Sequence, residues 1–196
     1  MIKAGITGGI GSGKTTCCQL FEAKRVPVYY ADVRAKSLYV ENPNVKKKVV
    51  DLLGAEAYQN NQLNRAFIAD QVFNDKNLLH QLNGIIHPAV GADYQKWLEK
   101  HKDAHYTLKE AAVMIESGSY KDLDVLIVLT APKALRIQRV ASRDGSDQKQ
   151  IEARMSNQIT DAERRKYADY VIENTTLEHL QDQVNAIHEQ LLSRSR

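Results

Sequence analysis

Cysteines, long apolar runs and excess charge are all scarce in this chain of 196 residues. Its two cysteines, Cys17 and Cys18, are adjacent, so they form neither a disulfide framework nor a metal-ligand spacing. No apolar run approaches the roughly 20 residues that a membrane-spanning helix needs. The net charge of +3 is too small to indicate a nucleic-acid partner, although it tolerates an anionic substrate. We therefore expect no membrane insertion, no nucleic acid and no disulfide scaffold.

A signal-peptide pattern is also missing, because a predicted strand occupies residues 2–7 at the start of the chain. We expect a cytoplasmic protein whose cysteines stay reduced. The hydrophobic fraction of 43% and the charged fraction of 26% are typical of a globular domain that builds its own core. The sequence implies no protein partner.

A glycine-rich motif follows the first predicted strand. Residues 8–15 fit G-x-x-x-x-G-K-[ST], the Walker A pattern, and a predicted helix comes directly after them. The glycines let successive backbone N–H groups turn toward phosphate oxygens, and the helix N-terminus adds partial positive charge. Lys14 supplies a cation for the β- and γ-phosphates, and the Thr15 hydroxyl suits Mg²⁺. The residues predicted to bind the nucleotide here are Gly9, Gly11, Ser12, Gly13, Lys14, Thr15 and Thr16.

Alternating strand and helix patterns predict an α/β fold of the P-loop NTPase type, with three layers and a five-stranded parallel sheet. Residues 64–101 are almost wholly helical in pattern, which indicates a helical insertion, and Pro88 is predicted to break it after His87. A charged helical hairpin extends to about residue 166. The five predicted strands are residues 2–7, residues 26–30, a strand within 106–115 that is placed at 111–115, residues 124–130 and residues 170–174.

Asp32 follows the second predicted strand directly, at the edge of the sheet where parallel α/β folds bind ligands. A carboxylate there accepts a proton from an attacking hydroxyl or helps to hold Mg²⁺. Asp is equally suited to cap the helix that begins after it. From its position alone, Asp32 is as well suited to a catalytic or metal-binding role as to capping the helix.

Other charged residues also have two readings. Glu116, after the predicted strand 111–115, is either a second carboxylate near the metal or an ordinary polar residue at a strand end. One helix face carries Arg136, Arg139 and Arg143. This face is either a solvated surface or a set of mobile arginines that close over phosphates. The strand 124–130 has no acidic residue at its end, which favours a small-molecule kinase over a motor ATPase.

Several motifs in a fixed order resemble dephospho-CoA kinases over nearly the whole chain. Residues 7–16 match that family's T-G-G-I-G-S-G-K-[ST]-T throughout, while Tyr30 replaces the first aspartate of its D-A-D. The later matches are 63–65 for L-D-R, 82–88 for L-N-x-x-x-H-P, 112–116 for P-L-L-[FV]-E, 139–145 for R-x-x-x-R-D-G, 154–158 for R-x-x-x-Q and 168–174 for A-D-x-V-I-x-N.

This resemblance implies that ATP with Mg²⁺ phosphorylates the ribose 3′-hydroxyl of dephospho-CoA, the final step of coenzyme A synthesis. Asp32 would be the catalytic base and, with Thr15, a metal ligand. The nucleotide-binding core would comprise residues 1–37, 104–141 and 168–196, with an acceptor-binding helical insertion at 38–103 and a helical lid at 142–167. The site residues implied besides the loop are Arg143 (catalytic), Arg139 and Asn174 (nucleotide), and Asp32, Arg65, His87, Glu116 and Arg154 (acceptor).

Two alternatives stay open at this point. The chain is either another small P-loop kinase, acting on a nucleoside monophosphate or a related alcohol, or a protein that senses ATP without transferring phosphate.

Overall fold

The computed structural model describes residues 1–73 and 75–195. The chain divides into two compact units. The sheet unit comprises Met1–Tyr30 and His101–Arg196, and the helical unit comprises Ala31–Lys100. The predicted boundaries, 38 and 103, differ from these by a few residues, and the last residue of the predicted core, Arg196, lies outside the described part of the chain.

A five-stranded sheet is the centre of the sheet unit. Its strand order is β2-β5-β1-β6-β7, and every neighbouring pair is parallel, which confirms the predicted parallel α/β architecture. The central strand β1 carries the glycine-rich loop at its carboxyl end. The strands are β1 (Ile2–Gly8), β2 (Val28–Tyr30), β5 (Tyr106–Glu110), β6 (Val125–Thr130) and β7 (Tyr170–Glu173).

The third strand of this sheet is not where the sequence pattern placed it. The sequence predicts a strand within residues 106–115, and β5 lies there, but the narrower placement at 111–115 is wrong because β5 ends at Glu110 and the chain then turns. Lys109 and Glu110 break the apolar pattern, yet all five residues of β5 are buried between β1 and β2. Because Lys109 and Glu110 are charged, the sequence pattern did not place the buried strand here. Glu116 lies in the turns beyond β5 rather than at its end.

Two helices of the sheet unit share one core with the sheet. Cys17, Cys18 and Phe21 of the first helix pack with Leu180 and Val184 of the last one against the sheet. Burial raises the pKa of the Cys17 thiol to about 12 and that of Cys18 further, so both thiols stay protonated and inert. The helices of the sheet unit are α1 (Lys14–Ala23), α6 (Lys133–Asp144), α7 (Gln148–Ser156), α8 (Asp161–Arg165) and α9 (Leu177–Arg194).

The helical unit has its own apolar core, with Val45, Val49, Ile68, Leu82 and Ile86 among its buried residues. The described residues of this unit form four α-helices, a short 3-10 helix at Ala55–Ala57 and one small hairpin. They are α2 (Ala31–Glu41), α3 (Pro43–Leu53), β3 (Tyr58–Gln59), β4 (Gln62–Leu63), α4 (Arg65–Phe73) and α5 (Lys76–Lys100).

Two details of this unit depart from prediction. The hairpin β3–β4 was not expected, and it turns on Asn60 and Asn61, whose φ angles are 49° and 64°. The predicted break at Pro88 is wrong, since α5 runs through it without interruption. A proline removes one backbone hydrogen bond, and the buried side chains of Leu82, Ile86 and others along α5 hold the helix together on both sides of it. Within residues 1–73 and 75–195, no helix is both long and apolar enough to cross a membrane.

Candidate active site

The glycine-rich loop connects β1 to α1 at the carboxyl edge of the sheet. The Ser12 N–H donates to the Gly9 carbonyl at 3.1 Å, which closes a tight turn. Gly13 has a φ of 94°, in the left-handed region that a side chain disfavours, and a Cβ there would overlap the Asn174 amide. The loop therefore needs glycine here for conformation and for space.

Lys14 opens α1 and turns back toward the strand that precedes the loop. Its Nζ donates to the Gly8 carbonyl at 3.0 Å and lies 3.9 Å from Oε1 of Glu110. Both side chains are nearly enclosed, with exposed fractions of 13% for Lys14 and 10% for Glu110. A buried cation thus sits opposite a buried anion at the edge where the loop begins.

Glu110 is a residue that the sequence interpretation missed. It pairs in register with Ile6 of β1 and with Tyr30 of β2, so it ends the strand next to the loop strand. The available signal was an acidic residue closing a strand that neighbours the glycine-rich strand, but Lys109 before it disguised that strand. Glu110 now stands at the sheet edge, the position that the prediction gave to Glu116.

The hydroxyl residues of the loop differ in exposure. Thr15 and Thr16 are exposed in the first turn of α1, where a ligand can reach their hydroxyls and the helix N-terminus adds positive potential. Ser12 is buried, and its Oγ has no hydrogen-bond partner in the described structure. Buried polar atoms are normally satisfied, so an orphaned hydroxyl in this loop is consistent with a polar ligand.

Arg139 and Asn174 lie against the loop, as the prediction that both help to bind the nucleotide requires. The Asn174 side chain donates to the Ser12 carbonyl at 2.8 Å, and Arg139 donates to the same oxygen at 3.5 Å and to the Asn174 side-chain oxygen at 3.2 Å. Partial burial lowers the pKa of Arg139, whose guanidinium stays protonated nonetheless. These two residues contact the backbone of the loop directly.

Arg143 and Arg154 both contact Asp144. Arg143 makes two hydrogen bonds to its carboxylate, at 2.7 Å and 3.0 Å, and Arg154 makes one at 2.9 Å. The exposed fractions of the two arginine side chains are 61% and 49%. Hydrogen bonds from Arg143 and then Arg154 hold the pKa of Asp144 well below its usual range. The predicted lid arginines are thus held together, on a solvent-exposed carboxylate.

Glu116 is bound by a different arginine, Arg164, at 3.4 Å.

The remaining predicted residues belong to the helical unit. Asp32 is half-buried in the first turn of α2, so it lies inside the helix rather than ahead of it. Its negative charge interacts favourably with the positive end of the helix dipole there. Arg65 is exposed at the start of α4, and His87 is exposed within α5.

A parallel five-stranded sheet with a phosphate-binding loop after its central strand defines the class of P-loop kinases. The fold agrees with that class: a shikimate kinase from Acinetobacter baumannii superposes with a TM-score of 0.51 at 16% identity, covering 99% of this chain and 94% of its own. A dephospho-CoA kinase from Campylobacter jejuni superposes with a TM-score of 0.74 at 23% identity, covering 99% and 98% of the two chains.

The particular family follows from the sequence comparisons. The dephospho-CoA kinase family model matches residues 2–179. A dephospho-CoA kinase from Salinibacter ruber is 41% identical over 89% of both chains, and one from Porphyromonas gingivalis is 36% identical over 96% of this chain and 94% of its own. A crystal structure of a Thermus thermophilus protein has a TM-score of 0.87 at 30% identity and covers 97% of each chain. The chain belongs to the dephospho-CoA kinase family, and its reaction is the last phosphorylation of coenzyme A synthesis.

Proposed function

We propose that the Walker A loop of the sheet unit binds the triphosphate of ATP and that the γ-phosphoryl group passes to the 3′-hydroxyl of dephospho-CoA. The observation that carries this proposal is Lys14, which is fixed between the Gly8 carbonyl and Glu110 at the mouth of the loop. A cation there neutralises charge on the β- and γ-phosphates as the phosphoryl group leaves. Because ATP is a cytoplasmic metabolite, we also propose that the protein acts in the cytoplasm.

The oxygen donors around Lys14 fit Mg²⁺. Thr15 offers an exposed hydroxyl, and Glu110 offers a carboxylate on the strand next to the loop. In the described chain no three acidic, histidine or cysteine side chains gather as a metal cage. Mg²⁺ needs no such cage, since it keeps several waters and binds one or two carboxylates together with phosphate oxygens. When bound, the ion would neutralise phosphate charge, with Thr15 and Glu110 as the proposed ligands in the sheet unit; a ligand role for Asp32 remains what the family resemblance implies.

The polar residues that contact the loop and the exposed arginines of residues 142–167 have different proposed roles. Arg139 and Asn174 hold the Ser12 carbonyl, which supports a role in shaping the nucleotide site together with the loop residues Gly9, Gly11 and Thr16. Arg143 and Arg154 are exposed and both are paired with Asp144, which supports their transfer to phosphate oxygens when the part of the predicted lid, residues 142–167, that carries them closes.

The helical unit carries three of the proposed acceptor residues. Asp32 follows β2 directly in the chain, and we assign it the orientation and deprotonation of the 3′-hydroxyl. Arg65 and His87 are exposed on α4 and α5, where their side chains are accessible to an anionic acceptor. Glu116 keeps a proposed acceptor role, although Arg164 holds it here.

An acceptor panel tests this function. The protein should release ADP rapidly with dephospho-CoA and far more slowly with adenosine, because binding energy from the rest of the acceptor contributes to the transition state. Coupled ADP release would be measured with each acceptor, and product analysis should find the new phosphate on the 3′-oxygen. Equal rates with adenosine or a nucleoside monophosphate would favour the general small-molecule kinase. ATP binding without ADP release would favour an ATP sensor.

The same assay tests Asp32. Asp32→Asn should reduce turnover by about 10²- to 10⁴-fold, since that is the usual contribution of a general base, while ATP binding persists. Asp70→Asn, an exposed aspartate of the same unit, is the matched control and should leave turnover unchanged. Full turnover in a folded Asp32→Asn variant would remove Asp32 from the mechanism.

A further inference from the structure

Ile10, in the middle of the glycine-rich loop, has both of its backbone polar groups bound by side chains from outside the loop. Arg136 Nε donates to the Ile10 carbonyl at 2.8 Å. The Ile10 N–H donates to Oε1 of Gln158 at 2.9 Å. One residue of the loop is therefore fixed from two sides, by α6 and by the segment that follows α7.

Arg136 is itself fixed by a chain of charged groups. Its Nη1 donates to one oxygen of Asp161 at 2.9 Å, and Arg164 donates to the other oxygen at 3.0 Å. Arg164 also reaches Glu116 at 3.4 Å. Two arginines alternate with two carboxylates, so the buried charges compensate one another.

Burial makes this chain of groups rigid. The side chain of Arg164 is 1% exposed, and that of Arg136 is 10% exposed. The loop also packs closely around Arg136, since a Cβ on Gly9 would overlap its guanidinium and one on Gly11 would overlap its backbone. The glycines leave the space that the arginine occupies.

We propose that Arg136 and Gln158 are positioning residues that hold the loop in its phosphate-binding shape before the nucleotide arrives, with Asp161, Arg164 and Glu116 fixing Arg136. A loop with this many glycines has many conformations when free, and ordering it only on binding would weaken affinity. Fixing the peptide of Ile10 aims the N–H groups that follow it. This proposal rests on the proposed binding of ATP by the loop.

Arg136 is suited to positioning rather than to phosphate contact. Its Nε and Nη1 are already committed to Ile10 and Asp161. Arg139, one turn further along α6, contacts Ser12 and Asn174 instead, and it is half-buried rather than buried. Neighbouring arginines on one helix face thus serve different parts of the loop.

Gln158 gives the sharper test, because it is only half-buried and its replacement leaves no buried charge. Gln158→Met keeps the length of the side chain and removes the acceptor for the Ile10 N–H. Without nucleotide, the amide hydrogens of residues 9–13 should exchange faster than in the unmodified protein. The affinity for ATP, measured by calorimetry, should fall by about 3- to 10-fold, the usual value of one hydrogen bond. Turnover at saturating ATP should be retained, because bound nucleotide restores the shape of the loop.

Three further variants complete the experiment. Gln158→Glu keeps an acceptor oxygen for the Ile10 N–H, so the amide hydrogens of residues 9–13 should again exchange slowly. Because the added negative charge repels ATP, only amide exchange is measured for this variant. Arg136→Lys keeps the charge but cannot reach Ile10 and Asp161 together, and it should weaken ATP binding by about tenfold or more. Lys133→Gln breaks an exposed ion pair between α6 and α7, with Glu152 at 2.9 Å, and should change neither quantity.

The outcomes separate this proposal from the proposed function. If the unmodified protein does not bind ATP, the proposed function fails, while amide exchange in the free protein still tests the positioning role. Unchanged exchange and affinity in folded Gln158→Met would overturn the positioning role. An equal loss of affinity for ATP and for dephospho-CoA, or fast exchange in Gln158→Glu, would also overturn it.

Discussion

Two aspartates of the sheet unit each bind two arginines, but in opposite surroundings. Asp161 joins Arg136 and Arg164, whose side chains are almost fully enclosed. Asp144 joins Arg143 and Arg154, whose side chains are largely in solvent. The sequence showed only arginines at helical spacing, with a solvated surface as the usual interpretation and a phosphate contact as the alternative.

Burial gives the two groups different capacities. A buried charge that loses its partner cannot recover solvation, so Arg164 and Asp161 are held together in every folded molecule. An exposed arginine exchanges one anion for another at little cost, since solvent and salt screen both states. The arginines on Asp144 are therefore suited to move onto phosphate, and those on Asp161 are suited to hold the loop.

The largest expected effect comes from Lys14, the lysine of the glycine-rich loop. Lys14→Ala should reduce turnover by about 10³-fold or more, because it removes the cation nearest the transferring group while the fold persists. Steady-state turnover and circular dichroism would be measured together. Lys121→Ala, an exposed lysine of the same unit, should behave normally. Substantial activity in a folded Lys14→Ala variant would separate the loop from the chemistry.

Removing an arginine from the buried group around Asp161 should lower the stability of the protein. Arg164→Met should lower the free energy of unfolding by about 1–3 kcal/mol, because Asp161 and Glu116 each lose a hydrogen-bonded arginine. Urea denaturation would measure this change. A stability equal to that of the unmodified protein would mean that water or a rearranged side chain replaces the arginine, and the contrast between the two aspartates would then fail.

Removing an arginine from the exposed group around Asp144 should lower turnover rather than stability. Arg143→Gln should lower turnover by about 10- to 100-fold with a smaller loss of ATP affinity, because a lid arginine contributes mainly once all ligands are bound. The melting temperature should stay close to that of the unmodified protein. Equal losses of turnover and affinity would indicate a simple contact in the ground state.

The smallest effect is on the titration of Asp144. Its pKa lies below the ordinary value of 3.8 because hydrogen bonds from Arg143, and then from Arg154, favour the carboxylate. The stabilisation is therefore complete above that ordinary value and is lost as the pH falls through the lowered pKa. In Arg143→Gln the pKa of Asp144 should rise toward the ordinary value, as followed by carbon NMR of the carboxyl group. An unchanged pKa would mean that Arg154 alone holds the carboxylate.

Local patterns made some features of the fold predictable. The strand β1, the loop and α1 are adjacent in the chain, and their residue types state their conformation directly. The motif therefore predicted a fold of the P-loop NTPase type. The apolar run of β6 likewise predicted a buried strand in a parallel sheet, and both expectations are confirmed.

Features that depend on distant partners were not predictable. Lys109 and Glu110 indicate a surface segment when read locally, but β5 is a central strand whose acidic end faces Lys14. Pro88 indicates a helix break, but the packing of α5 overrides it. In each case a contact made far along the chain outweighs a preference of a few residues.

By itself the sequence determined the class of fold, the phosphate-binding loop and the family, because these depend on residue types at short and regular spacings. Only the tertiary structure decided that Glu110 rather than Glu116 ends the strand beside the loop. It also decided which arginines are buried against Asp161 and which are exposed on Asp144. The physical reason is that the behaviour of a charge depends on solvation and on partners brought together by folding, and the spacing of arginines along a helix carries no information about either.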